Sequence, residues 1–199
     1  MNVVTALAVF GVIFTAELPD KTMVASLVLG TRFRPLFAWL GVAAAFLVHV
    51  IVAIAAGGLL SLAPKWIVHL VAAVLFLGGA IFLWREPDDE EELELADEAE
   101  IDALAGDEPS MWSAIGTSFV VVFVAEWGDL TQLLTASLAA RYKDPLSVAV
   151  GAVAALWTVG AIGVLAGRTL LRWIPVTVIR RISAVILLIL AVVTLIELL

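Results

Sequence analysis

Hydrophobic residues run along this chain in blocks far longer than a strand's alternation or a surface helix's stripe, and polar residues punctuate these blocks rather than patterning them. Six blocks reach the length that crosses a bilayer, about 20 residues: Val3 to Leu29, Leu36 to Leu60, Trp66 to Trp84, Trp112 to Ala140, Leu146 to Ala166 and Ile182 to Leu198. A segment apolar on all sides belongs in lipid or deep inside protein. The pattern therefore predicts an all-α polytopic membrane protein with six transmembrane helices. No Lys or Arg precedes the first block, and its apolar character resumes after residues 17–21, so it is expected to be retained rather than cleaved as a signal peptide.

Composition agrees with the pattern. The chain is 63% hydrophobic and 15% charged, with a mean hydropathy of +1.11, outside the range of soluble domains. The net charge of −8 is local, because 13 of the 19 acidic residues lie between Glu86 and Glu108. The chain thus divides into residues 1–84, an acidic linker over 85–111, and residues 112–199. A self-repelling, low-complexity linker reads as a solvated tether. A sharper alternative is that its carboxylates gather divalent cations at the inner mouth or sense cytoplasmic metal. There is no cysteine, which excludes disulfides and thiolate metal sites.

Within the apolar blocks the polar exceptions carry the chemistry. Ala16-Glu17-Leu18-Pro19-Asp20-Lys21-Thr22 and Ala125-Glu126-Trp127-Gly128-Asp129-Leu130-Thr131 are versions of one motif. Aligning them also aligns Arg32 with Arg141 and, after one inserted residue, Pro35 with Pro145 and Gly41 with Gly151. The chain reads as a duplication. Three spans per half is an odd number, so the halves are expected to form two inverted three-helix repeats whose motifs meet near the midplane. A charged carboxylate at the bilayer centre costs about 3 kcal/mol on insertion scales, so Glu17, Asp20, Glu126 and Asp129 must find cations, protons or water. Glu and Asp three residues apart share one helix face, and Pro19 and Gly128 between them predict a bent or broken helix. Thr22, Thr131 and Gln132 add neutral oxygens. Such an oxygen-only site suits a hard divalent cation such as Ca²⁺ or Mn²⁺, with Mg²⁺ disfavoured by its reluctance to dehydrate. Four crowded carboxylates titrate as a coupled set and exchange protons for metal, which makes proton-coupled antiport the natural mechanism.

Two further polar residues lack a counterpart in the other half. Lys21 aligns with Leu130; it either neutralises a carboxylate in the absence of metal or forms a fixed ion pair. His49, midway along the second block, aligns with Val159 and reads as hydrogen-bonded packing, as a proton relay or as a metal ligand. Met23 reads as packing. The small-residue runs 41–45, 57–58 and 160–167 read as close helix contacts. In short loops, seven basic residues (Arg32, Arg34, Arg85, Arg168, Arg172, Arg180, Arg181) lie on one side against three (Lys65, Arg141, Lys143) on the other. That excess places the linker in the cytoplasm and both termini outside. Trp66, Trp84, Trp112 and Trp173 sit near span ends as interfacial anchors.

The paired motif resembles Glu-x-Gly-Asp-Lys/Arg-Thr/Ser, found twice, in the first span of each half, in the cation/proton exchanger family that includes human transmembrane protein 165 and the yeast Gdt-type proteins. The resemblance covers essentially the whole chain. It implies a bacterial inner-membrane exporter of Mn²⁺ or Ca²⁺ in exchange for protons, with Glu17, Asp20, Glu126 and Asp129 as ligands and Thr22, Thr131 and Gln132 in support. Pro19 replaces the pattern's Gly, and Leu130 its Lys or Arg; the second change makes the cavity more negative. The expected partners are a divalent metal ion, protons and the bilayer, with no nucleic acid and no resident cofactor. A monomer suffices to hold the site, and a homodimer is compatible with it. The alternative is an exporter of a small organic cation or amino acid. An enzyme is not expected, because no nucleophile, base or phosphate-holding Arg cluster accompanies either motif.

Overall fold

The computed structural model describes residues 1–18, 21–85, 110–173 and 176–196. Among them there is no strand; they form eight helices: α1 (Val3–Glu17), α2 (Lys21–Arg32), α3 (Pro35–Leu60), α4 (Lys65–Arg85), α5 (Met111–Ala125), α6 (Leu130–Tyr142), α7 (Pro145–Trp173) and α8 (Val176–Ile196). Local chemistry sets several of the boundaries. Asn2 caps α1 by accepting from the Val4 and Thr5 amides at 3.0 and 3.3 Å, Ser110 caps α5, and Pro35 and Pro145 occupy the first turns of α3 and α7, where proline loses no helical bond.

Six apolar blocks become eight helices because the first and fourth are each interrupted at the acidic motif. By length and composition, α3 and the Pro145–Leu165 part of α7 can each cross a membrane alone. Taken together, α5 and α6 are also long and apolar enough to cross, as a broken span or a re-entrant loop bent by 73° at their break, while Val3–Glu17, Trp66–Ile81 and Arg181–Ile196 are shorter apolar helices. The linker lies outside the described residues.

Packing crosses between the halves. Helix α3 lies against α5 and α6, α7 lies against α1 and α2, α3 crosses α7, and α4 pairs with α8. With no water to drive apolar surfaces together in lipid, such contacts depend on close van der Waals fit between small residues. Gly41 abuts the Ile115 carbonyl and Ser118, Gly151 abuts the Ala6 carbonyl and Val9, and each set is the other shifted by one repeat. Gly57 meets Ala136 and Ala139, Gly160 meets Val42, and Gly163 meets Ser26 and Met23. The reading of the runs 41–45, 57–58 and 160–167 as close contacts holds at Gly41, Gly57, Gly160 and Gly163; Gly58, by contrast, faces open space.

A tryptophan clasp joins the two long helices. Trp39 Nε1 donates to the Trp157 carbonyl at 3.1 Å, Trp157 Nε1 donates to the Ala43 carbonyl at 3.0 Å, and the rings meet edge to face. The core runs through Val9, Ile13, Val42, Phe46, Leu134 and Val148, all essentially inaccessible. Leu7, Ile51, Val124 and Leu165 point outward, as lipid-facing positions do, and Trp66, Trp84 and Trp112 are exposed near helix ends. The Trp173 side chain lies outside the described residues.

Candidate metal centre

The second motif lies in the break between α5 and α6. Glu126 is the residue after the last turn of α5, and its amide still donates to the Val122 carbonyl at 3.0 Å. Gly128 takes φ +77, a left-handed conformation that costs glycine little and other residues more. Asp129 then caps α6, its Oδ1 accepting from the Gln132 amide at 3.0 Å, where the positive end of the helix dipole favours a carboxylate. The expectation that Glu126 and Asp129 share one helix face is therefore corrected. A left-handed glycine ends one helix and starts another, and the turn, not helical periodicity, brings the two carboxylates together.

The first motif comes to the same place from the other half. Glu17, the last residue of α1, is fully buried, and Glu126 is 2% exposed. Carboxylate oxygens of Glu17, Glu126 and Asp129 all lie within 4.8 Å of one another. Thr22, on the first turn of α2, donates its hydroxyl to Glu126 Oε1, so a residue of the first motif holds a carboxylate of the second. Asp20 lies outside the described residues, as does the Lys21 side chain, so neither is placed.

The supporting residues surround Asp129. Thr131 Oγ1 donates to both of its carboxylate oxygens at 3.1 and 3.2 Å. Gln132 folds back so that its Oε1 accepts from the Gly128 amide at 2.8 Å. Its Nε2 lies 3.0 Å from His49 Nδ1, and His49 Nε2 lies 3.1 Å from the Phe123 carbonyl. A carbonyl only accepts, so His49 carries its proton on Nε2 and accepts from the Gln132 amide through Nδ1. Both ring nitrogens of His49 are thus engaged in hydrogen bonds. Its ring also lies against those of Phe123 and Trp127, with centroids 5.1 and 5.9 Å away. Met23 is buried at 1% exposure, as a packing residue would be.

A cavity of about 10 Å³ remains beside these groups, lined by His49, Glu126, Asp129, Thr131, Gln132 and Thr135 among others. That is room for about one water-sized particle. Thr135 escaped the motif reading. It lies one turn beyond Thr131, as Ser26 lies one turn beyond Thr22, and this repeated hydroxyl spacing was the available signal. The Thr135 hydroxyl donates to the Thr131 carbonyl at 2.8 Å. The Ser26 hydroxyl is buried with no hydrogen-bond partner among the described residues.

Comparison with known proteins agrees with this chemistry. Residues 5–91 and 114–199 match the family model described as "Divalent cation/proton antiporter GDT1". A GDT1-like protein of Synechocystis is 29% identical over 164 residues, covering 78% of this chain and 79% of its own. A Vibrio cholerae protein named "Putative manganese exporter" is 30% identical over 200 residues, covering 90% and 84%. The chloroplast protein PAM71 of Arabidopsis thaliana is 27% identical over 206 residues, and the match spans 94% of this chain but 55% of that longer protein. No solved structure gives a significant match. The chain belongs to the GDT1 family of divalent cation/proton antiporters.

Proposed function

We propose that this protein exports Mn²⁺, and with it Ca²⁺, from a bacterial cytoplasm across the inner membrane in exchange for protons, using Glu17, Glu126 and Asp129 as ligands and Asp20 as a fourth. The observation that carries this reading is the meeting of three carboxylates from both halves within 4.8 Å. At that separation and an effective dielectric near 20, each ionised pair repels by about 3.5 kcal/mol. The cluster is therefore relieved either by a divalent cation or by protons, and alternation between the two is exchange. Its oxygen donors, free of thiolate, suit a hard cation. The Vibrio cholerae relative's name supports manganese. The small cavity beside the ligands counts against an organic cation or amino acid as substrate.

Six spans in two inverted repeats fit this mechanism, with α1–α2 and α5–α6 as the broken first span of each half. Support comes from the swapped packing of α1 on α7 and α5 on α3, and from the repeat-shifted contacts of Gly41 and Gly151. The excess of basic residues in the loops on one side supports a cytoplasmic linker. The test is reconstitution in liposomes with an imposed pH gradient, following Mn²⁺ and Ca²⁺ together with internal pH. Metal flux matched by opposite proton movement and abolished by Glu126→Gln is the expected result. Flux of neither ion, or flux that survives Glu126→Gln, would overturn the proposal.

A further inference from the structure

His49 has no equivalent in the other half, yet through its ring the scaffold helix α3 is hydrogen-bonded to both sides of the second motif's turn. The chain of hydrogen bonds has one polarity throughout. The Gly128 amide donates to Gln132 Oε1, Gln132 Nε2 donates to His49 Nδ1, and His49 Nε2 donates to the Phe123 carbonyl. Every link joins one donor to one acceptor, so reversing any of them would break its neighbour. The two ends of the chain lie on either side of the helix break: Phe123 in the last turn of α5 and Gly128 beside Asp129. The Phe123 carbonyl, near the end of α5, is among those left without a full set of helical partners at a C-terminus, and His49 satisfies it. The Gly128 amide is left by the left-handed turn, and Gln132 satisfies it.

From this geometry we infer that His49 is a positioning residue: it clamps the α5–α6 turn by orienting Gln132, and so aims the Asp129 carboxylate at the metal. The inference rests on the proposed metal site and assigns its selectivity for a fixed geometry to a residue that does not touch the ion. The imidazole is used as a rigid two-ended connector of set tautomer, not as a proton carrier. The counterpart Val159 carries no hydrogen-bonding side chain and can make neither bond. The aromatic contacts of His49 with Phe123 and Trp127 hold the ring in the plane that the two bonds require.

A primary amide also presents a donor end and an acceptor end, its NH₂ and its carbonyl oxygen, whereas a phenyl ring keeps the packing and offers neither. The experiment therefore compares His49→Gln, His49→Phe and Gln132→Ala with the wild-type protein in the liposome exchange assay, measuring KM for Mn²⁺, kcat and the pH profile. His49→Phe is expected to raise KM about tenfold with a smaller change in kcat, Gln132→Ala to do the same, and the double variant to be no worse than either single one, because both break one chain. His49→Gln should restore KM to within about threefold of wild type with an unchanged pH profile. Equal loss in His49→Gln and His49→Phe, or a pH profile displaced in both, would overturn the inference in favour of proton relay. Wild-type KM in His49→Phe would overturn it in favour of simple packing. Metal-dependent thermal protection of each variant, read in parallel, reports binding without transport and exposes a variant that has merely failed to fold. A wild-type protein that exchanges no metal would instead be a failure of the proposed function.

Discussion

The helix contacts at Gly41 allow a test in which two similar substitutions have opposite signs. A Cβ at position 41 would lie 2.3 Å from the Ile115 carbonyl oxygen and 2.7 Å from Ser118 Cβ, where ordinary contact starts at 3.4 Å. The obstructing atoms belong to the backbone and first carbon of α5, so no rotamer change relieves the clash, and α3 and α5 must part by about 1 Å. Overpacking of this kind costs about 1–3 kcal/mol, and alanine returns about 0.5–1 kcal/mol of helix propensity. The net loss, about 1.25 kcal/mol at mid-range and at most about 2.5 kcal/mol, corresponds to a Tm lower by about 2.5–5 °C, and at most about 10 °C, in a chain of this size. Gly116, on α5 itself, has nothing within 4 Å of the added carbon, so Gly116→Ala gains the propensity alone and should raise Tm by about 1–4 °C. Both are measured by thermal unfolding in one detergent at one scan rate, since irreversible unfolding makes Tm depend on the scan. Because Glu126 follows directly on α5, parting the helices also displaces a proposed ligand, and exchange in Gly41→Ala should fall at least tenfold. A Tm for Gly41→Ala at or above wild type, or equal losses in both variants, would refute the packing argument.

Thr22→Val removes the hydroxyl that Glu126 accepts from while keeping the shape; a bond to a charged group is worth about 1.5–3 kcal/mol, so KM for the metal should change tenfold or more, with Thr22→Ser restoring it. If the serine variant transports no better than the valine variant, the hydroxyl is not what matters. Outside the spans, Asp144 caps α7 and accepts from Ser147 Oγ at 2.6 Å and the Ser147 amide at 3.1 Å, and these bonds hold its carboxyl below the usual range. A lowered folded value means that the cap stabilises the protein above the carboxylate's unfolded value, about 4, and that this is lost as pH falls through the folded value. Asp144→Ala should therefore melt below wild type at pH 7, with the gap closing on acidification below about pH 4; a gap constant from pH 7 to pH 3 would contradict the capping role.

Sequence alone carried much of this protein. The cost of placing Glu17, Glu126 and Asp129 in apolar surroundings is written in one dimension, since it depends only on a carboxylate and its neighbours, and so the motifs, their repetition and the divalent cation/proton antiporter family were all legible. The same holds for the helix break, because Gly128 announces it wherever the helix is placed. What sequence could not supply is which half satisfies which. Thr22 reads as an accessory to its own motif, yet its hydroxyl serves Glu126 of the other; His49 reads as an isolated polar residue, yet it closes a chain to Gln132 and Phe123. These partnerships depend on where α3 lies against α5 and α6, and that is set by backbone approach at Gly41 and Gly57 over a fraction of an ångström of fit, which has no periodic signature. Nor did one-dimensional spacing place Glu126 and Asp129 correctly: helical periodicity assigned them a common face, whereas a left-handed turn, stabilised by Gln132 and the scaffold helix behind it, brought them to a common point.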